Sequence, residues 1–319
     1  MRLPAGNAAT VGGLPALAAL EATWWDLWRR DPGATPFHSP AWLLPWARVF
    51  APEAVSAVIV GGPDRLDALF PLFRHEGRLL PLGAGITDHL GGLIDPTLGP
   101  GAATALLAAA GAAGLSLDLP DIRGALAGCP APPGWREERW EAEPCPVLAL
   151  PAAPSRRLAQ NLRTARNRAA RLGTLDARRV RGAEVLPALD TLATLHGARW
   201  RERGGTGVLD DAAVRTFHRQ AAPLLEAAGL LRLYRLDLDG RAVAMLYGLA
   251  AKGRFHYYIG GFDPAFRAIS PGALLLSHAV EEAAREGCRE FDFLRGREDY
   301  KYAWGAADRP GTGRRLVPA

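Results

Sequence analysis

The 319-residue sequence predicts an α+β protein of two domains, each with a mixed, mainly antiparallel sheet flanked by helices. Three observations carry that expectation. Stretches with apolar residues at three- and four-residue steps alternate with short apolar runs bounded by Gly, Asp and Pro. A proline-dense passage, Pro130 to Pro154, interrupts the pattern near the middle of the chain. Beyond it, three strand-like runs (Leu230 to Leu238, Ala242 to Ala250, Arg254 to Gly261) are joined only by Asp239-Gly240 and Lys252-Gly253, residues suited to tight hairpin turns.

Taken in order, residues 1–20 hold one cation, Arg2, and no ordered apolar segment, so they read as a frayed start rather than a signal peptide. Leu14 to Arg30 fits a single helix whose Trp24, Trp25 and Trp28 suit a core better than a ligand platform. Ser39 before Pro40 supplies a capping side chain and a ring already at helical φ, opening a helix to about Phe50. Ala54 to Val60 and Ala68 to Arg74 read as strands joined by the turn Gly61-Gly62-Pro63-Asp64. Leu79 to Leu82 and Leu90 to Ile94 are short strands around a Gly-rich loop, followed by an Ala/Leu helix, Gly101 to Ala113, and a buried strand, Leu115 to Leu119.

Proline cannot donate to a helix or a central strand, so the Pro-rich passage reads as the place of a domain boundary. The boundary falls near Pro151, giving domains 1–152 and 153–319. The second domain opens with a helix from Ser155 to Gly173. Leu158, Leu162, Ala165, Ala169 and Leu172 form its apolar stripe, and Arg156, Arg157, Arg163, Arg166, Arg168 and Arg171 cover much of the rest. Helices Ala183 to Arg203 and Asp211 to Ala228 precede the three-strand meander. A helix from Pro271 to Glu286, ended by Gly287, leads to a last strand, Glu290 to Leu294.

Composition narrows the classes. The apolar fraction of 49% and charged fraction of 22% are those of an ordinary globular chain. Gly, Pro or charge interrupts every apolar run before membrane-spanning length, so no membrane insertion is expected and the expected address is the cytoplasm. Cys129, Cys145 and Cys288 are far apart and form no CxxC, which argues against a disulfide scaffold or a cysteine zinc site. The histidines form neither HxH nor HExxH, and no metal is expected. Of the cations only Lys252 and Lys301 are lysines; the arginines suit phosphate recognition, and GC-rich codon usage produces the same bias.

Two segments hold candidate chemistry. Phe262 to Ala273 leads from strand to helix. Free amides at a helix start attract an anion, Gly272 allows close backbone approach, and Pro271 fits the first turn. Gly260-Gly261, after Ile259, suits a bulge that exposes strand backbone to an extended ligand arm. An ordinary strand–loop–helix connection would read similarly. The second segment is the end of the last strand, where Asp292 points opposite to Phe291 and Phe293, and Arg295, Glu298, Tyr300 and Lys301 follow. This gathers carboxylate, cation and phenol into either a site or an ion-pair network closing the sheet. His196 lies on an apolar helix face with Leu189, Leu192 and Trp200, where packing is the commoner role. Asp88 lies in the loop Gly83 to Gly92, where backbone capping is common.

Together, Thr35 to Trp42, Leu195 to Trp200, Ser270-Pro271-Gly272 and Asp292 to Gly296 resemble the CelD-type, Fem-related branch of the GNAT superfamily over nearly the whole chain. The resemblance implies two tandem GNAT-like domains, the first without a donor site. It implies an N-acyltransferase that moves an acyl group from acetyl-CoA, another acyl-CoA or a carrier thioester to a small-molecule or glycan amine, in envelope or polysaccharide metabolism. By this resemblance Arg267, Ser270, Gly272 and Ala273 meet the carrier's phosphates, with Ser270 where the family usually has Gly; Ile259 and Gly260 meet the carrier's arm. Tyr300, with Tyr302 as neighbour, protonates the leaving thiolate, and Asp292, Glu298 or His196 takes the amine's proton. Arg199, Trp200, Asp88, Arg295 and Lys301 line the acceptor side. Fem-type relatives instead transfer from aminoacyl-tRNA, which would set RNA phosphates against the arginine helix; a solvated face explains the same arginines. A degenerate binding or assembly protein is the third reading, motivated by Ser270.

Overall fold

The structure is a computed structural model that describes residues 8–62, 64–99, 101–202 and 204–319. The expected frayed start before residue 8, Pro63 of the turn and Arg203 at a helix end lie outside the described residues. Contacts divide the chain into two units, Met1–Glu143 with Pro310–Ala319, and Pro144–Arg309. No described helix is long and apolar enough to cross a membrane.

The first unit starts with β1 (Ala8–Gly12), α1 (Leu14–Ala19), α2 (Glu21–Arg30) and α3 (Pro40–Phe50). The single helix expected over Leu14 to Arg30 breaks at Leu20, and Leu17, Leu20, Trp24 and Leu27 are all buried. Ser39 does not cap α3 with its side chain; its hydroxyl donates to the Pro36 carbonyl at 2.6 Å. There follow β2 (Val55–Gly62), β3 (Arg65–His75), β4 (Arg78–Pro81), β5 (Leu93–Ile94), α4 (Ala102–Ala110), β6 (Ser116–Ile122) and α5 (Ala125–Gly128). Strands β1 to β4 pair antiparallel in succession, and β6 lies parallel to β4.

The proline-rich passage holds regular structure. Most of it is a fifteen-residue strand, β7 (Trp135–Ala149). Pro144 and Pro146 lose their donors but not their acceptors, and their carbonyls take the amides of Gly296 and Phe293. The division between units falls inside this strand rather than near Pro151.

The second unit contains α6 (Arg156–Ala169), β8 (Leu175–Val180), α7 (Val185–Glu202), α8 (Ala212–Ala227), β9 (Leu231–Leu238), β10 (Arg241–Ala251), β11 (Arg254–Phe262), α9 (Pro271–Arg285), β12 (Glu290–Asp292) and α10 (Asp299–Ala303). Its strands lie in the order β12-β11-β10-β9-β8, with only β11 and β12 parallel. Both turns of the meander take positive φ at their two central residues, the geometry that matches strand twist. Ser155 caps α6 by accepting from Leu158 N, and Asp211 caps α8 through Ala213 N and Val214 N. Apolar residues of α6 and α9 cover one face of the sheet with Tyr234, Leu246, Phe255 and Phe291; α7 and α8 cover the other.

Strand β8 was not legible in the sequence, because its Asp176, Arg178 and Arg179 hide the period; such charges suit the edge of a sheet. The chain ends in β13 (Ala307–Pro318), which pairs with β6 and so belongs mainly to the first unit. There Arg314, fully buried, meets Glu137 at 2.6 Å and donates to the Leu126 carbonyl.

Candidate active site in the second unit

Strands β10 and β11 stay in antiparallel register except where Tyr247 faces Ile259 and Gly248 faces Tyr257, which makes Tyr258 the extra residue of a bulge. Strand β11 pairs with β12 only from Arg254 to His256. From Tyr257 onward its edge has no β12 partner, and there a cavity opens.

The expected bulge at Gly260-Gly261 is displaced to Tyr258 because the two glycines serve close approach instead. A Cβ on Gly261 would lie 2.5 Å from the His196 backbone N, so the missing side chain lets α7 settle against β11. A Cβ on Gly260 would collide with the Tyr257 hydroxyl, which occupies that space. The His196 Nδ1–H donates to the Gly260 carbonyl at 3.1 Å, and burial lowers the imidazole's pKa. His196 thus ties α7 to β11 in its neutral form.

The cavity measures about 190 Å³. Leu158 of α6, Arg199 of α7, and Met245 and Leu246 of β10 contribute to its wall, with Tyr257, Gly260, Gly261 and Phe262 of β11. Gly272, Ala273, Leu275 and Leu276 of α9, then Tyr300, Ala303 and Trp304, complete it. The wall is mainly apolar, and its strongest polar feature is a pair of phenols, Tyr257 and Tyr300, whose hydroxyls are hydrogen-bonded to each other. Burial first, then their mutual contact and Glu298, pushes the Tyr300 pKa far up; Arg199 opposes this. Burial likewise raises Tyr257, whose ring sits edge-on to Phe293 at 6.4 Å.

The turn that delivers Tyr300 is held internally. Leu294 sits at φ 58, in the left-handed region that an L side chain enters at a cost. Asp292 Oδ1 accepts from the Leu294 amide at 2.8 Å, and Lys301 Nζ donates to the carbonyls of Leu294, Arg295 and Gly296. Lys301 also pairs with Glu298 at 2.9 Å and is buried. Lys301 and Glu298 are thus engaged within the turn. Asp292 is fully buried, away from the cavity wall, and Arg295 supplies a carbonyl to Lys301. Tyr302 donates to Asp308 at 2.7 Å.

At the start of α9, Ser270 adopts φ 48, ψ 53, a conformation natural for the glycine usual at this place. The amides of Ala273 and Leu274 bond the Ser270 carbonyl, and the Gly272 N–H is by position one of the donors that a helix start leaves unused. Arg267 is ion-paired with Glu202 of α7 and does not line the cavity.

Of the sequence-expected residues, the cavity brings together Tyr300, Gly260, Gly272, Ala273 and Arg199. Outside its wall remain Ile259, Arg267, Ser270, His196, Trp200, Asp292, Glu298, Arg295 and Lys301; Asp88 belongs to the first unit. Sequence reading missed Tyr257 and Phe262. The signal for Tyr257 was the Gly three positions later that makes room for its hydroxyl.

Residues 156–302 match the family model described as an acetyltransferase (GNAT) domain. Among solved structures, the chain resembles FemX at 12% identity and TM-score 0.64, covering 92% of this chain and 95% of that one. It resembles L-PGS from Bacillus licheniformis at 14% identity and TM-score 0.61, covering 97% and 93%. It also resembles the C-terminal domain (DUF2156) of a putative lysylphosphatidylglycerol synthetase from Agrobacterium fabrum, at 12% and TM-score 0.60, covering 95% and 92%. At these identities the likeness is one of fold. No curated protein matches the sequence.

Proposed function

We propose, from the acetyltransferase (GNAT) domain carried by residues 156–302, that the second unit is an N-acyltransferase moving an acyl group from an acyl-CoA or carrier thioester to an amine. The observation that carries this reading is the Tyr257–Tyr300 pair in a cavity that lies between the unpaired edge of β11 and the start of α9.

In such a reaction the amine nitrogen attacks the thioester carbonyl carbon. A C–N bond forms, the C–S bond breaks, the nitrogen gives up one proton and the departing sulfur takes one. Tyr300 is the group we place against the sulfur. Its raised pKa keeps the phenol protonated at neutral pH, and its one O–H, turned from the Tyr257 hydroxyl to the sulfur, serves the thiolate as a hydrogen bond while the sulfur's proton arrives through water. Tyr257 fixes the orientation of that hydroxyl. The free edge of β11 offers backbone groups to an extended carrier arm, and the Gly272 amide one donor to a phosphate. Among the described residues no carboxylate or imidazole lines the wall, so the amine's proton leaves through water, and apolar surroundings ease its loss by disfavouring the ammonium form.

The test is thiol release by the full chain with acetyl-CoA and longer acyl-CoAs over a panel of amines, together with the shift in unfolding temperature each donor causes. Stabilisation by a CoA thioester and amine-dependent thiol release are expected; no stabilisation by any CoA species removes this reading.

A second reading, aminoacyl transfer from aminoacyl-tRNA, is favoured by one surface. Arg156, Arg157, Arg163 and Arg171 of α6 and its end are exposed and make no ion pair among the described residues. Salt-sensitive binding of bulk tRNA that is lost in Arg156→Gln/Arg163→Gln would support it over the CoA donor.

A further inference from the structure

Arg199 is the one charged residue among those lining the cavity, and no carboxylate of the described residues pairs with it. Its Nε is buried without a hydrogen-bond partner, and its guanidinium stands 5.6 Å from the centre of the Phe262 ring. Nearby charges on the same helix are answered: Arg201 reaches Asp210 at 3.9 Å, and Glu202 holds Arg267. Other half-buried arginines of the unit are answered too. Arg179 and Arg232 meet Glu286, and Arg235 meets Asp237. An N–H withdrawn from water needs an acceptor, and among the described residues none meets the Arg199 Nε.

We propose that Arg199 receives a carboxylate carried by the molecule that reacts in this cavity, so that the substrate pair includes an amino-acid-like amine or a dicarboxylic acyl group. The proposal rests on the acyl-transfer reading for its choice of ligands. A carboxylate fits better than a phosphate. One guanidinium brings one positive charge, matching a monoanion, and its planar fork matches the two carboxylate oxygens. The surrounding wall of Leu158, Met245 and Phe262 offers a multiply charged phosphate no further cation. The volume of about 190 Å³ lies below the range of pockets that enclose drug-sized ligands and suits a small group. The ring of Phe262 backs one face of the guanidinium, and the hydroxyls of Tyr257 and Tyr300 lie close enough for Arg199 to act on both. The same arginine that binds the carboxylate therefore places it beside the phenol pair.

The experiment is calorimetric titration of the full chain with product-like ligands. N-acetyl-alanine and N-acetyl-phenylalanine carry the carboxylate on the amine side, and N-succinyl-benzylamine carries it on the acyl side; each is compared with its methyl ester. One acid class should bind about 10- to 100-fold more tightly than its ester, the span of a charged hydrogen bond. The class that does so tells amine from acyl group. Arg199→Met should bring the acids to the level of the esters while leaving the esters unchanged, and Arg199→Lys should fall between. Equal binding of acid and ester, no measurable binding of either acid class, or a uniform loss for acids and esters in Arg199→Met overturns the proposal. Should Arg199→Met fail to fold by circular dichroism, the wild-type comparison and Arg199→Lys decide it. Acids that bind without any thiol release would defeat the acyl-transfer reading alone; thiol release without acid–ester discrimination would defeat this one alone.

Discussion

The two units share one layout and differ in what they do with it. In each, a leading strand and helices precede a three-strand antiparallel meander, and a helix then leads to a strand parallel to the meander's last member. That strand pair is β4 and β6 in the first unit and β11 and β12 in the second. Strand β4 has four residues and gives way to irregular chain. Strand β11 has nine, carries a bulge, and outruns its three-residue partner. In the first unit Leu106 and Leu107 of α4 pack in one cluster with Leu79 and Leu117 of the parallel pair. In the second the start of α9 is Gly272-Ala273, and the space left beside the free edge is the cavity. The repeated layout supplies a scaffold; a site arises where one strand outlasts its partner and the facing helix begins with small residues.

The comparison can be broken most sharply from the first unit. Leu106→Ala removes a fully buried side chain and should cost about 2–5 kcal/mol of unfolding free energy in a denaturant titration, with kcat per folded molecule unchanged. A fall in kcat beyond the unfolded fraction would contradict the assignment of chemistry to the second unit. Tyr300→Phe should lower kcat by about 100-fold and leave KM within about threefold. If turnover is retained, the phenol pair has no part in the reaction. Gly261→Ala puts a Cβ 2.5 Å from the His196 backbone and should cost about 1–3 kcal/mol, read from the denaturation midpoint. An unchanged midpoint would mean that α7 does not press on β11.

The gentlest effect is a pH dependence. Burial pushes His218 of α8 down to about 3 from an ordinary value near 6.5. The unfolded chain therefore takes up a proton first as pH falls. Stability from the neutral imidazole is complete above about 6.5 and drains away towards 3, at up to about 1.4 kcal/mol per pH unit. The stability of His218→Gln should fall less steeply than wild type over that window in urea titrations; parallel curves would show that His218 is solvated.

Much of the second unit was legible because its signals are local. The pairs Asp239-Gly240 and Lys252-Gly253 fix two-residue turns, Ser155 and Asp211 cap helices through amides two or three positions away, and Pro271 starts α9 at its first turn. The Gly272 and Tyr300 ends of the cavity could be named from the same short motifs. Strand β7 was not legible, because prolines reveal a lost donor but not whether their carbonyls find partners; those partners are Phe293 and Gly296, far along the chain. The contacts of Lys301 within its own turn were not legible either, because charge near a strand end says nothing about which carbonyls a cation will meet. The sequence by itself determined the three-strand meander with its two turns, the caps of α6 and α8 and the start of α9, since these depend on φ preferences and hydrogen bonds among near neighbours. Only the tertiary structure decided that Tyr257 fills the place of a Gly260 side chain, that Arg267 is spent on Glu202, and that Arg199 faces an apolar cavity without a counter-charge. Those facts depend on which distant side chains exclude water from one another, and no local pattern encodes that.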